Sequence, residues 1–129
     1  MNDSVVDASS VLAVMRNEPG ADAVRQALAE GEVFISSVNV TEVVTKLIDW
    51  GVAYADAVVA LRELNLTCVQ YTEELSLQAA ALRPQTRTLG LSIGDRACLA
   101  VGLASRLRVL TADRAWSALQ LPLTIVQIR

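Results

Sequence analysis

Short apolar runs alternate with longer segments of helical period along this chain. Val5 and Val6 are β-branched, follow a polar start, and predict a brief buried strand that Asp7 ends. From Ser9 to Arg16 the apolar positions Val11, Leu12, Val14 and Met15 fit a short helix, stopped by Asn17-Glu18-Pro19-Gly20. Asp22 to Ala29 predicts a second helix with Ala23, Val24, Ala27 and Leu28 on one face, and Gly31 closes it. Val33-Phe34-Ile35 predicts a second strand. Asn39 then stands where a cap would sit for an amphipathic helix whose stripe is Val40, Val43, Val44, Leu47 and Ile48, ended by Gly51.

The second half repeats the alternation. Ala53 to Leu64 predicts a helix, Leu66 to Tyr71 a third strand, and Thr72 to Leu82 a helix that must stop before Pro84. Gln85 to Gly90 reads as a polar connection. Ser92 opens a long helix, apolar nearly all round through Ala104, which should be buried between other elements. Arg108 to Thr111 predicts a fourth strand, Asp113 to Leu119 a short helix, and Leu123 to Ile128 a final strand. Five strands alternating with helices imply an α/β fold, a parallel sheet with helices on both faces. No internal repeat or linker interrupts the pattern, and 129 residues suit one domain with a sizeable core.

Composition narrows the chemistry. The hydrophobic fraction is 53%, yet no apolar run approaches the roughly 18 residues that span a bilayer. The start lacks the basic region and cleavage site of a signal peptide, so no membrane association and a cytoplasmic location are expected. The surplus of Ala, Val and Leu points to a tight core and an oligomer interface. Histidine is absent, which excludes histidine bases, Ser-His-Asp and Cys-His catalysis, and histidine metal sites. Cys68 and Cys98 are the only cysteines and form no metal-binding spacing. Carboxylates, hydroxyls, arginines and a bound cation are what remain. Charge is also uneven. Residues 1–82 hold 4 basic and 12 acidic groups, whereas residues 83–129 hold 7 arginines and 2 aspartates. That asymmetry fits a basic surface beside an acidic site.

Four acids occupy the same kind of place, past a strand and at a helix start: Asp7, Glu42, Asp95 and Asp113. Taken singly, each reads as a cap. Asn39-x-x-Glu42 and Ser92-x-x-Asp95 have capping-box spacing, and Asp7 and Asp113 suit N-caps. In a parallel sheet all such positions share one rim, so Glu73 and Glu74 are expected there too. Only acids at the topological switch point share a crevice, and the pattern alone does not reveal strand order. If the four meet, two charges about 4 Å apart repel by about 4 kcal/mol at an effective dielectric near 20. Such a cluster needs a cation, and hard oxygen ligands select Mg²⁺ or Mn²⁺.

Val5-Val6-Asp7-Ala8-Ser9, Val38-Asn39-Val40-Thr41-Glu42-Val43, Leu91-Ser92-Ile93-Gly94-Asp95-Arg96-Ala97 and Leu110-Thr111-Ala112-Asp113 resemble, in order and spacing, the four acidic motifs of PIN-domain nucleases. The nearest likeness is to VapC-type ribonuclease toxins of bacterial toxin–antitoxin pairs. The resemblance implies that residues 1–129 form a single three-layer domain around a five-stranded parallel sheet, with strands one and four adjacent at its centre. It implies that Asp7, Glu42, Asp95 and Asp113 bind Mg²⁺ or Mn²⁺ and cleave RNA phosphodiesters with a metal-activated water. It further implies a homodimer and a cognate antitoxin protein. Ser9 and Thr111 match polar positions that orient a carboxylate or a water, with local turn hydrogen bonds as the alternative.

Arg96 and Arg114 follow two of the acids and are candidates for RNA phosphate contacts or for pairing with neighbouring carboxylates. Trp116, beyond Asp113, suits base stacking or, more simply, the core. Leu12, Met15, Val24 and Leu28 suit either an antitoxin contact or the core. Two other readings compete with the nuclease. One is a catalytically silent PIN-like binding or assembly module. The other is a Mg²⁺-dependent receiver- or phosphatase-like domain, although Asp7 has no adjacent acid and Lys46 is the only lysine.

Overall fold

A computed structural model describes residues 2–129. Its strands are β1 (Ser4–Val6), β2 (Val33–Ser36), β3 (Thr67–Val69), β4 (Arg108–Thr111) and β5 (Ile125–Gln127). The helices are α1 (Ala8–Met15), α2 (Ala21–Glu30), α3 (Ser37–Asp49), α4 (Tyr54–Glu63), α5 (Glu73–Ala81), α6 (Arg83–Thr86) and α7 (Ile93–Ser105). Single 3₁₀ turns cover Arg87–Leu89 and Arg114–Ala118. All five strands run parallel in the order β3-β2-β1-β4-β5. The α/β sandwich expected from the alternation is therefore present, with β1 and β4 adjacent at its centre. A flavodoxin- or receiver-like sheet, by contrast, has the order 2-1-3-4-5.

Strand alternation divides the core into two layers. Val6, Ile35 and Leu110 face one side, where Val11, Ala13, Val24, Val43 and Leu47 of α1 to α3 cover them. Val5 and Val109 face the other, against Leu91, Cys98, Leu99, Val101 and Trp116. Register keeps the layers consistent, since Val5 lies between Phe34 and Val109, and Val6 beside Leu110. Helix α7 lies across the second face as its apolar circumference predicts, with Ala97 to Gly102 all buried. Gly102 allows this closeness. A Cβ there would stand 2.5 Å from Val109 Cγ2 and 3.1 Å from Leu123 Cδ1.

Several local expectations differ from the fold. Helix α3 starts two residues before Asn39, and Ser36 is its N-cap, accepting the Val38 amide at 3.3 Å. A cap at Ser36 leaves Asn39 inside the helix. Gln85 to Gly90 is helical rather than an open connection. Leu82 ends α5, Pro84 occupies the first turn of α6, where its missing N–H costs nothing, and Gly90 closes the next turn in the left-handed region. The third and fifth strands are shorter than their apolar runs. Trp116 is fully buried, so it packs the core and offers no face to a base. Val24 is buried, while Leu12, Met15 and Leu28 pack half-buried on the first core layer. Exposed apolar side chains gather instead on α3 and α4, at Ile48, Trp50, Tyr54 and Val59. Among the described residues no helix is long and apolar enough to cross a membrane.

Val109 is fully buried and branched at Cβ, so it cannot swing away from a new methyl group on α7. Gly102→Ala should therefore destabilise the protein by about 1–2 kcal/mol despite alanine's better helix propensity. Urea unfolding checks this, and a neutral or stabilising change would contradict the close α7–β4 packing.

Candidate active site

The order in which the chain adds strands reverses between β1 and β4: β2 and β3 lie to one side, β4 and β5 to the other. This is the switch point, the place where an open α/β sheet leaves a crevice at its carboxyl rim. Asp7 follows β1 directly and caps α1. Its Oδ1 accepts the Ser10 amide at 2.9 Å, and the Ser9 hydroxyl lies 2.8 Å from both carboxylate oxygens. From the neighbouring strand, Thr111 Oγ1 donates to Asp7 Oδ2 at 2.6 Å. The same Thr111 oxygen accepts the Asp113 amide at 3.0 Å, and Ser9 Oγ accepts the Ala112 amide at 3.0 Å. Two hydroxyls thus tie the β1 carboxylate to the turn that carries Asp113. In turn, Asp113 Oδ1 accepts the Ala115 amide at 3.0 Å, and Gln127 Nε2 of β5 donates to the Asp113 carbonyl at 2.9 Å.

Asp95 enters from α7 in the capping box that its spacing predicts. Its Oδ2 accepts the Ser92 amide at 2.8 Å, and its own amide donates to Ser92 Oγ at 3.2 Å. Glu42 arrives from α3 without capping anything. It accepts from Asn39 Nδ2 at 2.6 Å, and its carboxylate rests against the backbone of Gly94, where a Cβ would collide with it. Electrostatics link the remaining sides. The charge of Asp113 acts on Asp95, and the buried Cys98 thiol feels Asp7, Asp95 and Glu42 together. Hydrogen bonds thus tie Asp7 to the turn that carries Asp113, and Glu42 rests against the start of the helix that carries Asp95. Glu74 lies apart, beside Val101, Ala104 and Ser105 at the far end of α7. Nine or so residues of helix separate it from Asp95, a span of about 14 Å at 1.5 Å per residue. The shared rim expected for Glu74 is corrected by α5, which runs antiparallel along α7, its end near Arg96 and its start, with Glu74, near Ser105.

Burial controls the charge state. Asp7 is 3% exposed, and desolvation raises its carboxyl above the ordinary value of 3.8 despite the hydrogen bonds from Thr111, Ser10 and Ser9. Asp95 is raised in the same direction by burial first, offset by Ser92, with the Asp113 charge adding to the rise. Burial also pushes the Cys98 thiol well above its usual range, so it is a protonated core group. Among the described residues none of the four acids forms an ion pair with arginine or lysine. Nor, among them, do three acidic or cysteine side chains converge as a finished metal cage. The donor set is hard oxygen without protein countercharge, and a divalent cation of the Mg²⁺ or Mn²⁺ type fits it.

The arginines divide. Arg114 is exposed next to Asp113, whereas Arg96 turns away to donate to the Ala79 carbonyl at 3.3 Å, with its Nε buried. Sequence reasoning missed Asn39 and Gly94 as parts of the site. A signal was present for Asn39, because it lies four residues before Val43 and eight before Leu47, in phase with the buried stripe. A polar residue in that phase is a tertiary contact more naturally than a cap.

A PIN-domain family model matches residues 4–120, nearly the whole chain, a span within which the four acids lie. The chain belongs to the PIN-domain family. Solved structures with the same fold include a DNA-bound VapBC complex from Salmonella typhimurium, at 16% identity and TM-score 0.76 over 100% of each chain. A toxin–antitoxin complex from Klebsiella pneumoniae shares 18% identity at TM-score 0.73 over 98% of each chain. VapBC2 from Rickettsia felis, bound to a promoter DNA fragment, shares 14% identity at TM-score 0.73, over 97% of this chain and 98% of that one. No curated protein sequence matches the chain.

The burial of Asp7 in this PIN domain has a measurable consequence. A carboxyl whose folded pKa lies above its unfolded value binds protons more tightly when folded. Stability of the metal-free protein therefore rises as pH falls through the raised value and levels off below 3.8. Asp7→Asn should be the more stable protein near neutral pH, and its advantage should shrink as pH falls from about 8 to about 4. Paired urea unfolding curves check this; a pH-independent difference would contradict the burial penalty.

Proposed function

We propose that this PIN domain is a metal-dependent endoribonuclease, the toxin of a toxin–antitoxin pair. What supports the proposal is the pairing of β1 with β4, which ties Asp7 through two hydroxyls to the turn of Asp113, together with the absence, among the described residues, of any ion pair to Asp7, Glu42, Asp95 or Asp113. Asp7, Glu42, Asp95 and Asp113 would hold one or two Mg²⁺ or Mn²⁺ ions. Bound there, the cation supplies Lewis-acid activation of water and charge stabilisation at a phosphodiester, chemistry that requires no histidine.

The chain's own residues do the rest. Ser9 and Thr111 fix the direction of the Asp7 carboxylate and leave lone pairs of its oxygens unused, since a carboxylate offers about four acceptor sites. Thr111 also fixes the Asp113 backbone through its accepted amide, so the two central acids keep a set relation. The helix starts of α1 and α7 favour negative charge and help keep Asp7 and Asp95 ionised once a cation is present. Arg114 is placed to meet an RNA phosphate beside Asp113, and Arg96 would do so only on leaving the Ala79 carbonyl. The arginine-rich second half supplies a surface for the RNA backbone. A cognate antitoxin, a homodimer and a cytoplasmic setting complete the proposal; the antitoxin is supported by the likeness of fold to chains in toxin–antitoxin complexes.

Purified protein should cleave RNA with Mg²⁺ or Mn²⁺ and stop on chelation by EDTA. Asp7→Asn should remove the activity, Ser9→Ala and Thr111→Val should lower it about 10–100-fold, and Glu74→Gln should leave it unchanged. Sequencing RNA ends after pulsed expression of wild type and Asp7→Asn reads both activity and cleavage sequence. Equal loss in Asp7→Asn and Glu74→Gln, or cleavage insensitive to EDTA, would overturn the proposal.

A further inference from the structure

Asn39 sits in a place that helix propensity does not favour. Asparagine is a poor residue inside a helix, because its amide competes with the backbone for hydrogen bonds. Here it is 1% exposed at the third helical position, in the first turn after the Ser36 cap, in line with Val43 and Leu47. Its Nδ2 carries two hydrogens, and both are used. One goes to Glu42 Oε1 at 2.6 Å and the other to the Gly94 carbonyl at 3.1 Å, 55 residues away on α7. The amide orientation is dictated by chemistry, because the reverse would set Oδ1 against a carboxylate and a carbonyl. Among the described residues the buried Oδ1 meets no donor, so the polar contacts of the Asn39 side chain all run through Nδ2 to Glu42 and Gly94.

Gly94 supplies the opposite wall. Its backbone is not in the left-handed region, so glycine is not required there for conformation. It leaves room, because the Glu42 carboxylate occupies the space a Cβ would take and would have to move aside for one. Gly94 immediately precedes Asp95, so this contact joins the α3 acid to the α7 acid. The Asn39 amide closes the same contact from below by binding both partners at once.

We propose that Asn39 and Gly94 form a seat that positions Glu42 against the Asp95 helix start and so sets the affinity of the four-carboxylate site for a divalent cation. Asn39 is a positioning residue: it acts through Glu42 and touches no substrate. The inference rests on the reading of the four acids as a cation site, and its test separates the two.

The test is Mn²⁺ binding to the full chain, followed by the paramagnetic resonance of free Mn²⁺, with urea unfolding of each metal-free variant alongside. Asn39→Ala and Gly94→Ala should each weaken Mn²⁺ binding about 10–100-fold. In a Glu42→Gln background, already weakened, neither should add more than about twofold, because residues that act through one group are not additive. An unchanged affinity in either variant, or an equal loss in the Glu42→Gln background, would overturn the seat. Should Asn39→Ala lose its helical signal, Gly94→Ala decides alone: alanine is the better helix former, and the atoms it displaces are the tip of a flexible side chain. Wild type that fails to bind Mn²⁺, or binds it equally well as Asp7→Asn, would overturn the cation-site reading and the seat with it. Binding that is lost in Asp7→Asn but untouched by Gly94→Ala would overturn the seat alone.

Discussion

A carboxylate buried at the centre of the sheet is the constraint from which the rest of this structure follows. Removing an ionised carboxylate from water costs several kcal/mol, and hydrogen bonds or countercharge must offset it. Among the described residues Asp7 has no basic partner. Its oxygens are met instead by the Ser10 amide and by the Ser9 and Thr111 hydroxyls. The hydroxyl of Thr111 comes from 104 residues away in the chain. It reaches Asp7 only because β4 pairs directly with β1, with Leu110 in register with Val6. The charge at the end of one strand is therefore tolerated only in the topology that brings in the other.

The same pairing organises the neighbours. Once Thr111 is committed to Asp7, its oxygen receives the Asp113 amide, and Gln127 on the edge strand receives its orientation from the Asp113 carbonyl. On the other side, α7 can approach β4 closely because Gly102 has no side chain to oppose Val109. That approach sets the start of α7 beside the rim, and Gly94 then lets Glu42 settle against it. Glycines at 94 and 102 thus serve closeness rather than unusual backbone angles, eight residues apart on one helix. Among the described residues no lysine or arginine pairs with the acids near this corner. Burying a carboxylate without such a partner costs stability, a cost that functional sites in general carry.

Much of this was legible in the chain. The five apolar runs, the α/β alternation and the all-round apolar character of α7 follow from residue pattern, because strands and helices bury side chains with different periods. Ser92-x-x-Asp95 is the capping box its spacing announces, and Asp7 and Asp113 do cap their turns. Capping does not exclude a further role, since an N-cap carboxylate keeps unused lone pairs. The errors were local. Asn39 looked like a cap because its spacing to Glu42 imitates one, and Ser36 was passed over because it closes an apolar strand. Glu74 looked like a rim acid because a helix start after a parallel strand usually is one, yet α5 packs along α7 and carries Glu74 to its far end.

Sequence by itself determined which residues have the chemistry: four carboxylates, two hydroxyls, no histidine, and a basic second half. Those are properties of side chains and of their nearest neighbours along the chain, where capping and periodicity operate. Tertiary structure alone decided which strand ends adjoin, through the order β3-β2-β1-β4-β5, and which polar groups hold the acids there. The Thr111–Asp7 and Asn39–Gly94 hydrogen bonds join residues 104 and 55 positions apart. Contacts of that range depend on strand order and helix packing, which minimise free energy over the whole chain, and no local spacing encodes them.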